Sequence, residues 1–254
     1  MPHPAGRALY IQTCGLGPKI AMVHGFTQTG ESWGRFAELL CLNHELLKVD
    51  APGHGKSSGV CLDIPETAEL LADQVGDATY LGYSLGARIC LRSAIDHPGQ
   101  VSRLIVISGS PGIADGKERS VRLDSDNRLA DSIVDVREFL EQWLSQPLFC
   151  GLPPDARQVE SRLENTPDGL AWSLRLSGTG SQQPLWDRLS DLEIPVLIVA
   201  GETDTKFSAI GRRMASAIGE NAQLSIIAGA GHAAHLEKPD EVAAIVERFL
   251  NTCS

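Results

Sequence analysis

The segment Gly82-Tyr83-Ser84-Leu85-Gly86-Ala87-Arg88 contains the pattern G-x-S-x-G between a short apolar run and an amphipathic run. Residues 78–81 before it are typical of a strand, and apolar residues at helical spacing in 87–95 predict a helix after it. A strand that enters a helix through so tight a turn strains its central residue, and the flanking glycines leave room for the crossing. We therefore expect Ser84 to present its hydroxyl to a cleft; an ordinary Gly-Ser turn is the alternative.

Length and charge restrict the classes of partner. The chain has 254 residues, 43% of them hydrophobic and 21% charged, which suits a globular protein with a sizeable core. Its formal net charge of −10 argues against a nucleic acid or an anionic membrane as partner, because both require a basic surface. An anionic small molecule would need a local basic pocket. No apolar run approaches a membrane span and the first residues do not resemble a signal peptide, so we expect a cytoplasmic protein.

The sequence contains no convincing pattern for a metal or an organic cofactor. Gly55-Lys56-Ser57 imitates the end of a phosphate-binding loop, but that motif needs a glycine where Asp50 stands. His232 and His235 have only Glu237 as a nearby acid, in a segment predicted to be a loop. The cysteines form no C-x-x-C pair, which argues against a zinc or redox site and predicts buried thiols at Cys14, Cys41, Cys61, Cys90, Cys150 and Cys253.

Strand and helix patterns alternate on both sides of the serine, which predicts an α/β fold with a mostly parallel sheet covered by helices on both faces. The predicted strands are residues 7–13, 19–23, 46–50, 78–81, 104–108, 194–200 and 223–227. Residues 111–185 lose the strand signal and predict helices at 117–133, 136–146, 155–164 and 169–176. We therefore predict a core of residues 1–110 and 186–254, with residues 111–185 as a helical cap insertion that covers the cleft and excludes water.

Three polar residues follow predicted parallel strands in the order nucleophile, acid, histidine: Ser84, Asp204 and His232. The carboxyl ends of parallel strands share one edge of the sheet, so we expect the three side chains to meet. The backbone amides of Phe26, in the turn after another strand, and of Leu85 are candidates for an oxyanion hole. Taken singly, the acid would be interpreted as a turn or cap residue and the histidine as structural.

In these stretches the chain resembles the α/β-hydrolase fold family over nearly its whole length. Within that fold it is similar to the 2-succinyl-6-hydroxy-2,4-cyclohexadiene-1-carboxylate synthases of menaquinone and phylloquinone biosynthesis. One departure is Ala87, where relatives often carry a third glycine. The resemblance rests on His24-Gly25-Phe26-Thr27 with Trp33, residues 82–88, Glu118-Arg119 with Arg122, Asp126 and Leu129-Ala130, Trp143 with Gln146-Pro147-Leu148-Phe149, residues 201–207, and Gly231-His232-Ala233-Ala234-His235.

The resemblance implies a small-molecule substrate with three carboxylates, bound by arginines. Arg88 stands four residues after Ser84, which is one helical turn away. A cation beside a closed cleft is energetically costly unless an anion pairs with it. For the arginines that match at 122 and 162, a solvated helix face with pairing to Asp126 or Glu164 is an equally good interpretation. The residues assigned to substrate binding by the resemblance are Tyr83, Arg88, Arg122, Trp143 and Arg162.

The reaction implied is a lyase step: removal of a proton next to a carbonyl, rearrangement of the conjugated system and expulsion of pyruvate. In this hypothesis Ser84, deprotonated with help from His232, is the base, and Asp204 fixes the imidazole tautomer. No metal or organic cofactor is implied.

Two other functions fit the same motifs. The first is a serine hydrolase acting on esters or carbon–carbon bonds, with Ser84 as covalent nucleophile and an apolar pocket in place of converging arginines. The second is a binding protein or receptor on the same fold, which would retain its ligand without turnover. The sequence does not determine the oligomeric state.

Overall fold

One mostly parallel sheet forms the centre of the computed structural model, which describes residues 8–252. Its strands are β1 (Ile11–Cys14), β2 (Lys19–Val23), β3 (Glu45–Val49), β4 (Ala78–Tyr83), β5 (Val101–Ile107), β6 (Val196–Gly201) and β7 (Ala222–Ile227). They lie in the order β1-β3-β2-β4-β5-β6-β7. Strand β1 runs antiparallel to β3, and every other neighbouring pair is parallel. The predicted α/β-hydrolase fold class is confirmed.

Helices follow most of the strands. They are α1 (Gly34–Leu40), α2 (Ile64–Val75), α3 (Leu85–Asp96), α4 (Gly116–Asp131), α5 (Val136–Leu144), α6 (Val159–Arg162), α7 (Pro167–Ser177), α8 (Thr205–Ile218), α9 (Ala234–Glu237) and α10 (Pro239–Asn251). Short 3₁₀ turns lie at Gly55–Ser57, Pro147–Phe149, Asp155–Arg157 and Trp186–Asp191.

The central strands are apolar throughout because both of their faces are covered. In β5, Leu104 and Val106 pack with α2, α3 and α8 on one face, whereas Ile105 and Ile107 pack with α1 and α10 on the other. This alternation follows from the two-residue period of a strand. A continuous apolar run such as residues 104–107 therefore supplies both cores at once.

Helices α4 to α7 lie between β5 and β6 in the chain, in the region predicted to be a cap. Residues of α4, α5 and α7 share an apolar cluster of their own, which includes Ala130, Phe139, Leu140 and Leu170. Aspartates begin two of these helices, since the side chains of Asp115 and Asp135 accept hydrogen bonds from backbone amides. The division at residues 111–185 stays a prediction.

Two segments differ from the predicted elements. Residues 155–164 were predicted as one helix, but Gln158 adopts a left-handed conformation with φ 50° and separates a 3₁₀ turn from α6. Residues 234–237, predicted as part of a loop, form α9. The Glu237 carboxylate accepts hydrogen bonds from the amides of Gly231 and Ala233 at 2.7 and 3.2 Å, which folds this segment back on itself.

The thiols differ in exposure. Cys90 is buried and Cys14 and Cys41 are half-buried, but Cys61 and Cys150 are exposed, so the prediction of buried thiols is wrong for these two. Both lie outside the α-helices and strands, whose regular spacing places side chains in the core. Arg7, at the start of the first predicted strand, and Cys253 lie outside the described residues. Within residues 8–252, no helix is both long enough and apolar enough to cross a membrane.

Candidate active site

Ser84 occupies a strained turn between β4 and α3. Its backbone has φ 51° and ψ −104°, a conformation that residues other than glycine rarely adopt. The next turn of chain packs tightly against β2: the amide of Gly86 donates to the carbonyl of His24 at 3.0 Å. A Cβ atom on Gly86 would overlap the carbonyl of Val23. Gly86 of the G-x-S-x-G pattern thus allows the start of α3 to approach the end of β2 closely, and Ser84 lies directly after the end of β4.

Ser84, His232 and Asp204 lie in one hydrogen-bonded row. The Oγ of Ser84 lies 3.3 Å from Nε2 of His232, and Nδ1 of His232 lies 2.7 Å from Oδ2 of Asp204. The carbonyl of His232 also accepts a hydrogen bond from the hydroxyl of Ser108 at 2.7 Å. The imidazole and the carboxylate are both buried, with 3% and 9% of their residue surfaces exposed. This geometry can move a proton from the serine to the histidine.

Phe26 lies in a turn that several side chains hold in place. Its neighbour Thr27 has φ 70°, and its amide donates to Nε2 of His54 at 3.2 Å. The carbonyl of Thr27 accepts from Nδ2 of Asn165 at 2.8 Å, and its hydroxyl accepts from Nη1 of Arg162. Two residues from the predicted cap region therefore fix the backbone of this turn.

Two buried histidines beneath the turn are neutral. Burial lowers the pKa of His24 to about 4 and that of His54 to about 3. In each ring Nδ1 donates to a backbone carbonyl, and Nε2 accepts a backbone amide: that of Ala51 for His24, and that of Thr27 for His54. Their role is to hold the backbone rather than to carry charge.

A cavity of about 490 Å³ opens over the serine. Ser84 and His232 line it, whereas Asp204 lies behind the imidazole. All of the residues predicted to surround the reacting groups also line it: Phe26, Tyr83, Leu85, Arg88, Arg122, Trp143 and Arg162.

Two of the three arginines are buried cations. Arg88 and Arg162 are 8% and 2% exposed, and burial lowers the pKa of each guanidinium to about 10. Arg88 donates from Nη1 to Oε1 of Gln182 at 3.1 Å, and Arg162 donates from Nε to the carbonyl of Arg157 at 2.8 Å. Neither forms an ion pair with a carboxylate among residues 8–252. An uncompensated buried cation is unfavourable, and a bound anion would reduce that cost.

Arg122 differs from the other two arginines. Its Nε lies 2.7 Å from Oδ1 of Asp126, and 40% of its side chain is exposed. Asp126 is itself buried and also accepts the amide of Gly180 at 3.1 Å. Pairing with Asp126 is one of the two interpretations given for Arg122 from the sequence, and it coexists with a place on the cavity wall. Arg162 matches neither the solvated face nor the Glu164 pairing, because it is buried.

Aromatic rings surround the imidazole. The ring of Phe207 lies 4.5 Å, and that of Tyr83 5.4 Å, from the ring of His232 between centroids. Trp143 packs edge-on against Phe26 at 5.1 Å. These rings limit water around the row of hydrogen bonds and give the cavity an apolar wall beside its cations.

Sequence patterns did not identify Asn165, Gln182, Lys206 and Arg213. Asn165 and Gln182 act through Thr27 and Arg88, to which no motif connects them. Lys206 and Arg213 line the cavity from α8. Their seven-residue spacing on a helix that follows Asp204 is a signal that the sequence does contain.

Known proteins are similar to this chain over most of its length. The model of the Alpha/beta hydrolase family matches residues 20–245. A protein named 2-succinyl-6-hydroxy-2,4-cyclohexadiene-1-carboxylate synthase from Enterobacter sp. (strain 638) is 34% identical, and the match covers 92% of this chain and 92% of that protein. A protein of the same name from Photorhabdus laumondii is 32% identical, and the match covers 92% of this chain and 86% of that protein. The structure of MenH from S. aureus is 30% identical with a TM-score of 0.88, over 96% of this chain and 98% of that one. The chain belongs to the alpha/beta hydrolase family and, within it, to the family of 2-succinyl-6-hydroxy-2,4-cyclohexadiene-1-carboxylate synthases.

Proposed function

We propose that this protein is a carbon–oxygen lyase of menaquinone or phylloquinone biosynthesis. It eliminates pyruvate from 2-succinyl-5-enolpyruvyl-6-hydroxy-3-cyclohexene-1-carboxylate and forms 2-succinyl-6-hydroxy-2,4-cyclohexadiene-1-carboxylate. The names of the relatives support this activity. The observation that carries it in this chain is the pair of buried guanidinium groups, Arg88 and Arg162, which have no carboxylate partner among the described residues and line the same cavity as Ser84.

Carboxylate recognition by arginine explains why these cations are buried. The substrate carries three carboxylates, and a planar guanidinium can donate two parallel hydrogen bonds to each. Arg88, Arg122 and Arg162 are the groups we assign to them, with Tyr83 and Trp143 as neighbouring contacts. Bound carboxylates would supply the negative charge that Arg88 and Arg162 do not receive from a carboxylate of the described residues.

Ser84 is the proposed base. Its proton passes to Nε2 of His232, and the resulting alkoxide removes a proton next to the succinyl carbonyl of the substrate. The electron pair of that C–H bond forms a new double bond, the ring double bond shifts, and the C–O bond to the enolpyruvyl group breaks. The departing enolpyruvate takes up a proton and becomes pyruvate. Asp204 holds the imidazole so that Nε2 is free to accept the serine proton.

The amides of Phe26 and Leu85 are assigned to the negative oxygen that develops on the succinyl carbonyl. Both residues line the cavity beside Ser84. The contacts that fix Thr27 from His54, Asn165 and Arg162 would keep the Phe26 amide in place as charge builds up. Preorganisation of this kind lowers the barrier because no reorientation is needed during reaction.

The test is pyruvate release from the enzymatically generated substrate, coupled to lactate dehydrogenase. Wild-type protein is expected to release pyruvate in proportion to enzyme, and Ser84→Ala to lose at least about 10³-fold in kcat. Ser110→Ala, which alters another serine on the cavity wall, is the matched control and keeps most of the activity. Full activity of Ser84→Ala would exclude the serine base.

Hydrolysis by a covalent acyl-serine is the second candidate, because the hydrogen bond between Ser84 and His232 also suits a nucleophile. The same preparations are therefore assayed with a nitrophenyl ester. Substantial ester turnover without pyruvate release would establish the hydrolase and contradict the lyase. Tight retention of the substrate without either product would indicate a binding protein.

A further inference from the structure

Helix α8 presents two cations to the cavity in addition to the three arginines discussed above. Lys206 and Arg213 are exposed residues that line the cavity together with Ile210. Spacings of four and seven residues place these three side chains on one face of the helix. Because α8 begins directly after Asp204, whose Oδ1 accepts the amide of Phe207 at 3.2 Å, this face is fixed relative to the reacting groups.

Neither cation forms an ion pair with a carboxylate of residues 8–252. The guanidinium carbon of Arg213 lies 4.3 Å from the ring centroid of Trp186, and the indole of Trp186 donates to the carbonyl of Gly112 at 2.9 Å. A tethered aromatic ring therefore holds Arg213 without neutralising it. The Nζ of Lys206 lies 5.8 Å from the ring of Phe207.

Charge around the cavity is opposite in sign to that of the protein. Among the described residues, five cations line the cavity: Arg88, Arg122, Arg162, Lys206 and Arg213. The acids that line it are Asp115 and Glu118, at the start of α4. The whole chain carries a formal charge of −10, so an approaching trianion is repelled by most of the surface. A local positive field at the entrance would overcome this repulsion and raise the association rate.

We propose that Lys206 and Arg213 form an electrostatic entrance that captures the polyanionic substrate before the buried arginines bind its carboxylates. This inference rests on the proposed function, because it requires a substrate with several negative charges. The two residues act on capture and not on proton transfer. Their removal is therefore expected to lower kcat/KM much more than kcat.

The main test is the salt dependence of pyruvate release by a K206Q/R213Q variant. At about 0.01 M salt, where the Debye length is about 30 Å, kcat/KM is expected to fall roughly five- to tenfold with less than about a twofold change in kcat. At about 1 M salt, where that length is about 3 Å, the difference from wild type is expected to disappear. K206R/R213K keeps both charges and is expected to restore the low-salt kcat/KM, which separates charge from packing.

Arg212→Gln is the matched control because it removes one positive charge from the same helix without altering the cavity wall. Arg212 is exposed and is not among the residues that line the cavity, and on the helical wheel it lies about 100° from Arg213. Each single variant, K206Q or R213Q, is expected to lower kcat/KM at low salt more than R212Q does. Equal values for R212Q and R213Q would overturn the proposal, since net charge alone would then explain the effect.

Binding of citrate, a tricarboxylate, can be measured without catalysis through the change in unfolding temperature. It is expected to raise the unfolding temperature of wild type at low salt, and to raise that of K206Q/R213Q clearly less. Wild-type pyruvate release with an unchanged salt profile in K206Q/R213Q would refute the entrance and leave the lyase function intact. Absence of pyruvate release together with a citrate shift that depends on Lys206 and Arg213 would refute the lyase function and support an anion-capturing entrance.

Discussion

Asp204 binds His232 through one carboxylate oxygen and caps helix α8 with the other. Oδ2 lies 2.7 Å from Nδ1 of the imidazole, while Oδ1 accepts the amide of Phe207 at 3.2 Å. The bond from Oδ1 to Phe207 fixes the rotamer of Asp204, and the bond from Oδ2 fixes the tautomer of His232. The orientation of His232 is therefore coupled to the start of the helix that also carries Lys206 and Arg213.

Replacement of Asp204 by Asn separates these two roles. The amide oxygen of Asn can still cap α8, but its NH₂ group is a donor and cannot accept the hydrogen bond from Nδ1–H of His232, so the wrong imidazole tautomer is favoured. We expect kcat for pyruvate release to fall about 10³- to 10⁴-fold. The unfolding temperature should change little, because the cap is retained. A kcat within tenfold of wild type would show that the tautomer is set by other groups.

Replacement of Arg88 by Met tests whether its buried charge serves binding. Charge-assisted hydrogen bonds worth about 1.5 to 3 kcal/mol each are lost, so kcat/KM should fall roughly ten- to a hundredfold or more. The free energy of unfolding without ligand should stay the same or rise, because a buried cation lacking a carboxylate partner has been removed. Arg92→Met, one turn along α3 and paired with Asp96 instead, is the control and should keep kcat/KM within about twofold. Loss of stability without loss of kcat/KM would assign Arg88 to structure.

Stability should fall as the pH drops below about 6.5. Burial lowers the pKa of His24 to about 4, and those of His54 and His235 to about 3. The unfolded chain binds protons to these rings near pH 6.5 while the folded chain does not, so acid favours unfolding. The stability is fully present above that pH. Each ring should cost about 2 kcal/mol at pH 5, measured as the change in free energy of urea unfolding from pH 7.5.

His235→Phe provides the control for this pH effect. Both ring nitrogens of His235 are buried without a hydrogen-bond partner among the described residues, and the ring packs against Tyr83 at 4.5 Å between centroids. An apolar ring of similar shape should be tolerated there at pH 7.5. The variant should lose about 2 kcal/mol less than wild type on going to pH 5. An unchanged pH dependence would mean that His235 does not stay neutral when folded.

The glycine two residues after Ser84 should be far less replaceable than Ala87. A methyl group on Gly86 would overlap backbone atoms of Val23, and neither β2 nor the start of α3 can move without disturbing the packing of the sheet. We expect Gly86→Ala to cost more than about 3 kcal/mol of unfolding free energy or to prevent folding. Ala87→Gly, by contrast, should cost about 1 kcal/mol through helix propensity and the lost methyl contact. Equal urea midpoints for the two variants would contradict the close backbone approach.

Local patterns predicted the elements that carry the site because strand and helix periods are set by covalent geometry. The apolar run at 104–108 and the G-x-S-x-G turn identified a parallel sheet with a strained serine. The expected meeting of Asp204 and His232 with Ser84 then followed from the rule that parallel strand ends share one edge. Where backbone conformation departed from the period, as at Gln158 with its φ of 50°, the prediction of a continuous helix was wrong.

The amino-acid sequence by itself determined the sheet, the turn that carries Ser84, the order of the three polar residues and the family that they resemble. Only the tertiary structure decided that Arg162 is buried against Thr27 while Arg122 pairs with Asp126. For each of these arginines the sequence allowed either carboxylate binding or a solvated helix face. The physical reason is that burial and pairing depend on which distant segments meet. A helical pattern fixes the face on which a side chain lies, but not what covers that face.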